Sequence, residues 1–308
     1  MMRLFKKKTN SATPKVRGDQ SPLAQFLEEF SENRVAVASF FVCATLVFAG
    51  LFSPFIAPQD PYDIGSLNIL DSRLPPGSVS SDGITFLLGS DGQGRDMLSA
   101  ILYGLRTSLL VGALSGAVAL CIGIASGMTA AYFGGKLDTV VMRVVDLHLG
   151  FPPILIAIIL MAVLGRGVEK IIIALVVVQW ARYARTIRGV ALAERNKEYI
   201  EAARNLAIKQ SRIIFRHLLP NCLPPLIVVA TVQVAAAISL EATLSFLGVG
   251  LPVTKPSLGL LIANGFEFML GGRYWISFFP GLALLIMVVS INLMGDHMRD
   301  VMNPRLKK

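Results

Sequence analysis

A charged stretch between two long apolar runs of the chain reads ERNKEYIEAARNLAIKQSRIIFRHLLP (residues 194–220). Tyr199, Ala203 and Leu206 recur at i, i+4 and i+7, the spacing that places side chains on one face of a helix. The pattern therefore predicts a short amphipathic helix whose apolar face is built from these three residues. Such a face is unfavourable in water, so we expect it to dock in the groove of a partner or, alternatively, to lie on a membrane surface.

The second half of this stretch predicts another short helix. Lys209-Gln210-Ser211 interrupts the first pattern, and the Ser211 hydroxyl can cap the helix that follows. Pro220 and the Pro224-Pro225 pair come next, and a proline disfavours the helical conformation of the residue before it. We therefore expect a surface helix pair that ends before the next apolar run.

Six apolar runs make up most of the remaining chain, at residues 35–57, 105–131, 144–165, 168–192, 223–248 and 275–295. A helix needs about 20 apolar residues to cross a bilayer. The composition agrees with six crossings, since 54% of the residues are apolar and only 16% are charged, against about 25% charged in a soluble domain. The sequence therefore predicts an all-α integral membrane protein with six transmembrane helices and excludes a soluble globular domain.

Two of these runs are irregular. The Pro152-Pro153 pair lies inside the third run and predicts a bend. The fourth run contains an uncharged, mostly apolar stretch of only 11 residues, 171–181, which is too short to cross a bilayer core of about 30 Å. Arg182, Arg185 and Arg188 follow at every third residue. We therefore expect this end of the helix to leave the membrane as an amphipathic extension whose arginines reach lipid phosphates.

Positive charge is unevenly distributed along the chain. With the N-terminus in the cytoplasm, cytoplasmic segments carry 22 Lys and Arg residues and external segments carry six. Because cytoplasmic loops retain Lys and Arg, this bias predicts that both termini are cytoplasmic. The chain then divides into a cytoplasmic basic tail and amphipathic helix (1–34), a first transmembrane helix (35–57), an external segment (58–104) and a five-helix transmembrane core (105–308) with a cytoplasmic loop at 193–222.

The sequence lacks the motifs of several enzyme classes. No Gly-x-x-x-x-Gly-Lys-Ser/Thr loop is present to hold a nucleotide phosphate, and no Gly-x-Ser-x-Gly elbow is present to carry a nucleophile. His148, His217 and His297 are far apart in sequence, and the three cysteines form no Cys-x-x-Cys pair. We therefore expect no enzyme activity, no metal site and no bound cofactor in this chain. The net charge of +9 is explained by membrane topology, so no nucleic-acid partner is expected.

Residues 201–220 resemble the cytoplasmic signature of a known family, the inner-membrane permease subunits of binding-protein-dependent ABC importers, in its dipeptide, oligopeptide and nickel group. That signature reads Glu-Ala-Ala, three residues, Gly, nine residues and, in this group, a closing His-x-Leu-Pro. Here Glu201-Ala202-Ala203 is followed by Ala207 in place of the glycine and by His217-Leu218-Leu219-Pro220. If position 207 adopts a left-handed turn, an alanine there is strained by about 1–2 kcal/mol.

Other segments resemble the same family in the same order, and the resemblance covers the chain from about residue 30 to its end. These segments are Ile56–Pro58, Leu88–Asp96, Tyr132–Gly135, Phe151–Pro152, Glu241–Gly248 and Gly295–Arg305. The resemblance implies one half of a heterodimeric permease, of the second permease type in this group, which works by alternating access in the bacterial cytoplasmic membrane. The implied partners are a second permease, two ATPase subunits that bind ATP and Mg²⁺, an external solute-binding protein and membrane lipid.

The resemblance also implies which residues couple transport to ATP hydrolysis. In the family, the Glu-Ala-Ala helix pair docks in a cleft of the ATPase subunit. The coupling residues implied for this chain are Glu201, Ala202, Ala203, Arg204, Ala207, Ile208, Ser211 and Arg212.

A polar segment precedes the second apolar run and contains Asp91, Gly94, Arg95 and Asp96. We expect these residues to cap and orient the start of the second span, with Arg95 pairing with the aspartates. A role in docking the external binding protein is the alternative. The ligand spacing of a calcium loop is absent from this segment.

Polar residues within the apolar runs are candidates for a translocation path. Glu241 lies in the fifth run, where it could meet the amino group of a peptide or bond a neighbouring helix. Gln179 and Gln233 are further candidates for the path. Arg143 and Asp146, at i and i+3, are expected to form a structural ion pair.

The expected substrate is a di- or oligopeptide, and nickel chelates or other small solutes are the alternative cargo of the same importer type. A different mechanism, that of an ion-coupled secondary carrier, would require Glu241 and no ATPase subunits. An assembly factor of the membrane would have no use for a coupling motif.

Overall fold

The computed structural model describes residues 22–63, 65, 67–252 and 254–302, and these form a mostly helical protein. The basic residues 1–21 and 303–308, which the sequence analysis assigns to cytoplasmic ends, lie outside the described residues. The first half of the chain contains α1 (Pro22–Glu32), α2 (Arg34–Leu51), α3 (Ser53–Ile56), β1 (Ser78–Val79), β2 (Thr85–Phe86), α4 (Met97–Phe133) and α5 (Gly135–Leu149). The second half contains α6 (Pro153–Leu164), α7 (Val168–Glu194), α8 (Glu198–Asn205), α9 (Gln210–Arg212), α10 (Leu219–Phe246), α11 (Leu258–Phe266) and α12 (Trp275–Val301).

Four helices are long and apolar enough to cross a membrane: α2, α4, the continuous helix Gln210–Phe246 and α12. The pair α5 and α6 adds a fifth if it counts as one span bent by 88°. The remaining predicted crossing coincides with α7, which is 27 residues long but carries charges near its start and along its second half. The described part of the chain therefore has four to five candidate spans by composition, where the apolar runs predict six.

The bend predicted at the Pro152-Pro153 pair is confirmed. Gly150 ends α5, Pro152 occupies the position before α6, and Pro153 is the first residue of α6. Proline has a φ close to that of a helix and no backbone N–H, so it fits the first turn of a helix but cannot continue the preceding one. The two halves therefore meet at a sharp angle.

Glycines allow α4 to lie close to α7 and α10. A Cβ on Gly123 or Gly127 would overlap backbone atoms of Ala184 on α7, and a Cβ on Gly112 would overlap the side chain of Ile238 on α10. Glycines spaced by four residues on one helix face let backbones approach without side chains between them. This close approach makes α4 the central helix of the described structure.

The prediction that prolines end the second helix of the 194–220 stretch is wrong. A π-helical segment, Ile213–Leu218, joins α9 to α10, so residues 210–246 form one continuous helix. The Leu219 amide donates to the Ile214 carbonyl oxygen five residues earlier. A local π turn of this kind lets the helix continue although Pro220 has no backbone N–H to donate.

The prediction that Ser211 caps a helix is also wrong. α9 begins at Gln210, its cap position is Lys209, and no side chain forms a capping bond there. Ser211 is inside the helix and exposed. The helix starts two residues earlier than the serine pattern predicts, because the chain leaves the left-handed turn at residue 207 and re-enters a helix almost at once.

Candidate functional site

The turn after α8 is a Schellman motif centred on Ala207. The Ile208 amide donates to the Ala203 carbonyl oxygen at 3.2 Å, and the Ala207 amide donates to the Arg204 carbonyl oxygen at 2.9 Å. This pair of bonds ends a helix on a residue in the left-handed conformation, and Ala207 has a φ of 52°. Position 207 is thus the left-handed residue at which the family signature has glycine. The alanine bears the strain of about 1–2 kcal/mol that this conformation costs.

One face of α8 is packed against the helices that cross the core. Ile200 and Ala203 are the buried residues of α8. They belong to a single apolar cluster with residues of α4 (Met128, Ala131, Tyr132), α7 (Ile187, Ala191), the π segment (Ile213, Leu218) and α10 (Cys222, Leu226). A displacement of α8 would therefore act directly on α4, α7 and α10, which it contacts.

This packing corrects the predicted apolar face of Tyr199, Ala203 and Leu206. Leu206 lies beyond the last residue of α8 and is 75% exposed, and Tyr199 is 37% exposed. Ile200, which the pattern omits, takes the buried position instead. The i+7 residue falls outside because α8 ends at Asn205, one residue before it.

The opposite side of this segment is an open surface, which we name the α8–α9 surface. It is formed by the exposed residues Glu201, Ala202, Arg204, Leu206, Ala207, Ser211, Arg212 and Phe215. Two large apolar side chains stand in it, Leu206 at 75% and Phe215 at 69% exposure. Of the eight implied coupling residues, six are on this surface, while Ala203 is buried and Ile208 is half-buried.

A polar network holds the start of α8 to the end of α7. The Tyr199 hydroxyl donates to Glu194 Oε1 at 2.6 Å, and the Asn221 side-chain amide donates to the Tyr199 oxygen at 3.1 Å. Lys197 Nζ lies 2.8 Å from Glu194 Oε2. Burial raises the pKa of Glu194, but the bonds from Lys197 and Tyr199 outweigh it and hold that pKa below its ordinary value. Burial, then the bond to Glu194, raises the pKa of Tyr199 to about 12.

Arg204 joins this region to α4 from the outside. Its guanidinium lies 5.5 Å from the centre of the Tyr132 ring, within the range of a cation–π contact. Arg195 donates to the carbonyl oxygens of Ala131 and Tyr132 at the end of α4. The segment around α8 is thus tied to α4 by polar as well as apolar contacts.

A buried ion pair organises the segment before α4. Arg95 Nη2 and Nε lie 2.6 Å and 2.7 Å from Asp91 Oδ2, and the two side chains are 1% and 2% exposed. Asp91 Oδ1 accepts from the amides of Gln93 and Arg95 at 2.8 Å and 3.0 Å. Gly94, with a φ of 79°, passes so close to the Asn68 carbonyl oxygen that a Cβ would overlap it.

Asp96 is the N-cap of α4. Its Oδ2 accepts from the Ser99 amide at 2.8 Å and from the Ser99 hydroxyl at 2.6 Å. The Asp96 amide in turn donates to Gln59 Oε1 at 2.7 Å. These bonds fix the segment that follows the first apolar run to the start of the central helix.

Glu241 is fully buried inside this chain. Its Oε2 accepts from the Ser108 hydroxyl of α4 at 2.9 Å, and its Oε1 accepts from the Ser245 hydroxyl one turn later at 2.8 Å. Both oxygens are therefore occupied, Oε2 by a bond from α4 to α10 and Oε1 by a bond within α10. This geometry matches the alternative in which Glu241 bonds a neighbouring helix, rather than contact with a substrate in this conformation.

Gln179 and Gln233 do meet in a cavity. It has a volume of about 400 Å³ and is lined by α6, α7 and α10, with Gln179, Arg182, Gln233, Ser239 and Thr243 as its polar residues. Arg182 Nη1 donates to Gln233 Oε1 at 3.3 Å. The spacing of the arginines on α7 predicts that Arg182 faces lipid, whereas the structure places it on this cavity. The position of Arg182 near the middle of α7 is the feature of the sequence that could have indicated it.

The other arginines of α7 have partners that sequence spacing did not identify. Arg185 pairs with Asp146 at 2.5 Å and Arg188 pairs with Asp138 at 2.6 Å. The expected pair of Arg143 with Asp146 is therefore wrong, because α7 packs along α5 and brings Arg185 to the carboxylate. No group of three or more His, Cys, Asp or Glu residues that could hold a metal ion occurs in the described ranges.

A chain of apolar helices with an exposed helix–turn surface joined directly to one of them has the architecture of a membrane transport permease. The chain belongs to the family described as binding-protein-dependent transport system inner membrane component, which matches residues 119–308. A second family, described as the N-terminal TM domain of oligopeptide transport permease C, matches residues 21–76. The chain is thus a multi-pass protein of the bacterial inner membrane and an ABC transporter permease, as the resemblance at residues 201–220 predicts.

Curated relatives match nearly the whole chain. The di/tripeptide transport system permease protein DppC of Pseudomonas aeruginosa is 36% identical over 93% of this chain and 93% of its own length. The dipeptide transport system permease protein DppC of Haemophilus influenzae is 34% identical over 97% of this chain and 100% of its own length. The DppC protein of Escherichia coli is 37% identical over 94% of this chain and 95% of its own length.

A solved structure shares the fold. A chain of the MetNI methionine ABC transporter, in an inward-facing conformation, superposes with a TM-score of 0.54 at 23% identity, over 67% of this chain and 97% of that chain. At this identity the likeness concerns the fold alone.

Proposed function

We propose that this chain is one half of a heterodimeric permease that moves di- and oligopeptides into the cell by alternating access, driven by separate ATPase subunits. The single observation that carries the proposal is the α8–α9 surface. It presents apolar and charged side chains outward, although nothing within the described structure covers them, while its inner side is packed against three long helices. An exposed apolar patch rimmed by charges is typical of a docking site for another protein.

The continuous helix 210–246 gives this surface a direct connection to the interior. Its first turns include Ser211 and Arg212, and Gln233 lies further along the same helix in the 400 Å³ cavity. A packed helix transmits displacement because protein interiors are poorly compressible. Closure of the ATPase subunits against the α8–α9 surface would therefore move the cavity wall through one continuous helix.

The proposed topology has six crossings and two cytoplasmic termini. The α7 helix supplies the sixth, since 27 residues span about 40 Å at 1.5 Å per residue. Its Arg185 and Arg188 are paired with carboxylates of α5, which lowers the cost of holding them near the membrane. The bias of Lys and Arg toward the cytoplasmic segments supports the orientation.

The proposed partners follow from the same architecture. A second permease would cover the open side of the cavity, two ATPase subunits with ATP and Mg²⁺ would dock on the two α8–α9 surfaces, and a solute-binding protein would deliver peptide outside. The residues Asp91, Gly94, Arg95 and Asp96 are buried, so their proposed role is to orient α4 rather than to contact the binding protein. The names of relatives that are at least 34% identical support a peptide as the substrate.

ATP hydrolysis by the complete complex tests this proposal. The chain is purified with its partner permease, the ATPase subunits and the binding protein, and hydrolysis is measured with and without the dipeptide Ala-Ala. We expect peptide-loaded binding protein to stimulate hydrolysis, and Glu201→Arg to reduce that stimulation by about tenfold, the size of a typical coupling effect. Glu32→Arg makes the same charge change at an exposed site on α1 and should change stimulation by less than about twofold.

The other outcomes are distinct. Equal stimulation in Glu201→Arg and wild type would refute the coupling assignment. Stimulation by a nickel chelate but by no peptide would leave the importer assignment in place and refute the substrate. Gradient-driven uptake by the chain without ATPase subunits would show a secondary carrier instead.

A further inference from the structure

We propose that Arg182, Gln179 and Gln233 form a binding site for the carboxylate and amide groups of the peptide as it passes through the permease. The inference rests on the proposed function and names the residues that contact the substrate. It concerns Arg182 above all, which the sequence pattern assigns to the lipid surface.

Arg182 differs from the two arginines that follow it on α7. Arg185 lies 2.5 Å from Asp146 and Arg188 lies 2.6 Å from Asp138. Among the residues that the structure describes, no carboxylate is paired with Arg182, and its one hydrogen bond goes to the neutral amide oxygen of Gln233 at 3.3 Å. Its positive charge is therefore available to an anionic group.

An unpaired charge at the position of Arg182 is unfavourable in free energy, so the arginine is expected to have a function. Arg182 is the fifteenth residue of α7, and Gln233 is the fifteenth residue of α10. Arg182 thus lies about 20 Å from the start of α7, and Gln233 is the eleventh of the 26 residues of the apolar run 223–248, so both lie near the middle of segments proposed to cross the membrane. An arginine facing hydrocarbon at such a depth is strongly disfavoured, so it is expected to face water, a partner or a substrate.

Gln179 supplies an unused acceptor in the same cavity. It is 4% exposed, its side-chain nitrogen donates to the Leu175 carbonyl oxygen at 3.3 Å, and its Oε1 has no donor within the described structure. Buried polar atoms are usually satisfied, and exceptions commonly mark a functional site. A peptide N–H or ammonium group would satisfy this oxygen.

The cavity continues toward the cytoplasmic coupling region. Gln233 lines both the 400 Å³ cavity and a second cavity of about 590 Å³, whose other polar residues include Glu194, Asn221 and Arg299. The Arg182–Gln233 bond thus lies where the two spaces meet. A carboxylate that binds Arg182 would take the guanidinium away from Gln233, which couples substrate arrival to the contact between α7 and α10.

The chemistry of the three residues selects peptide-like ligands. A guanidinium binds a carboxylate through two parallel hydrogen bonds, and a glutamine amide can donate to a peptide carbonyl and accept from a peptide N–H. The remaining lining is small or apolar, with Ala236, Ala237 and Leu240, so it places no demand on peptide side chains. A site of this composition would accept many sequences with a common backbone.

Coupled transport by the complete complex in proteoliposomes tests the site. Uptake of radiolabelled Ala-Ala and binding-protein-stimulated ATP hydrolysis are measured in parallel, with the same saturating binding protein for every variant. We expect Arg182→Gln to lower uptake by about tenfold while stimulated hydrolysis changes by less than about twofold, because substrate contact is lost and ATPase docking is not. Arg182→Lys keeps the charge and should recover part of the uptake. Arg185→Gln, one turn further along α7, is the matched control and should leave uptake within about twofold of wild type.

A second variant separates a binding role from a structural one. Gln179→Leu removes an unsatisfied polar atom, so we expect the Tm of the purified complex to stay level or rise while uptake falls severalfold. A fall in Tm with the uptake would show that Gln179 is structural and would overturn its assignment. Wild-type uptake in Arg182→Gln, or an equal loss of uptake and of stimulated hydrolysis, would overturn the site. Absence of peptide uptake in wild type would instead overturn the proposed function and this inference with it.

Discussion

The backbone amide of Ile208 donates to the carbonyl oxygen of Ala203 across the turn that ends α8, at a distance of 3.2 Å. This bond holds Ala207, with its φ of 52°, on the exposed α8–α9 surface, and it fixes the angle between α8 and the long helix that follows. The conformation of one residue therefore sets the shape of the surface proposed to meet the ATPase.

The first prediction concerns this turn. Ala207→Gly relieves the left-handed strain, and after allowance for the greater freedom of glycine in the unfolded chain we expect a gain of about 0.5–1 kcal/mol. Hydrogen exchange of the Ile208 amide should slow about two- to fivefold. Ala202→Gly is the control, because it puts glycine within a helix and should cost about 0.5–1 kcal/mol. Equal effects of the two substitutions on exchange would contradict the assigned strain.

The second prediction concerns the contact between α4 and α7. A Cβ on Gly127 would overlap the Ala184 backbone, so Gly127→Ala should destabilise the protein by about 1–3 kcal/mol through overpacking. Gly189→Ala provides the comparison, since a Cβ there meets open space and alanine favours the helix. Thermal unfolding in detergent should show a lower Tm for the first variant and an equal or higher Tm for the second. A lower Tm for Gly189→Ala alone would show that the packing has been assigned to the wrong face.

The third prediction concerns the buried pair before α4. Arg95→Met leaves the Asp91 carboxylate without its guanidinium partner, and breaking a buried pair from one side typically costs about 3–5 kcal/mol. Adding Asp91→Asn removes the unpaired charge while keeping a side-chain oxygen for the amides of Gln93 and Arg95. The double variant should therefore be more stable than Arg95→Met alone in thermal unfolding. A double variant that is less stable than Arg95→Met alone would contradict the assigned pairing.

The fourth prediction concerns pH. The pKa of Glu194 is held below its ordinary value of 4.5, so its ionised form stabilises the fold above that value and the stabilisation is lost as the pH falls through the lower, folded pKa. Tyr199→Phe removes one bond to this carboxylate and should raise its pKa. The acid-induced fall in Tm should then begin at a higher pH than in wild type. Tyr274→Phe, at an exposed tyrosine, should leave the pH profile unchanged, and an unchanged profile in Tyr199→Phe would exclude the network.

Local features of this protein could be predicted from its sequence, and contacts between distant elements could not. The bend at Pro152 follows from the backbone preferences of proline, and the special position of residue 207 follows from the glycine that the family signature has there. The predicted partner of Asp146 is wrong. Spacing along the sequence indicates only the nearby Arg143, whereas Arg185 reaches Asp146 only after α5 and α7 have packed. The environment of Arg182 was missed for the same reason.

The predicted helix boundary after residue 219 is wrong because the backbone there adopts a π-helical turn. Three prolines after residue 219 predict an end to the helix, but the π segment Ile213–Leu218 lets it continue from Gln210 to Phe246. A π turn has no simple pattern in the sequence, so the continuity from the α8–α9 surface to the cavity could only be seen in the structure. The buried role of Ile200 was missed because the packing direction of a short helix depends on its neighbours.

The central claim is that the α8–α9 surface contacts an ATPase subunit, and site-specific photo-cross-linking tests it most directly. A benzophenone amino acid replaces Leu206, which is 75% exposed on that surface, or Leu155, which is 52% exposed on α6, and the assembled complex is irradiated. The account predicts a covalent adduct with the ATPase subunit from position 206 and none from position 155. An active complex that gives no ATPase adduct from position 206 would contradict it.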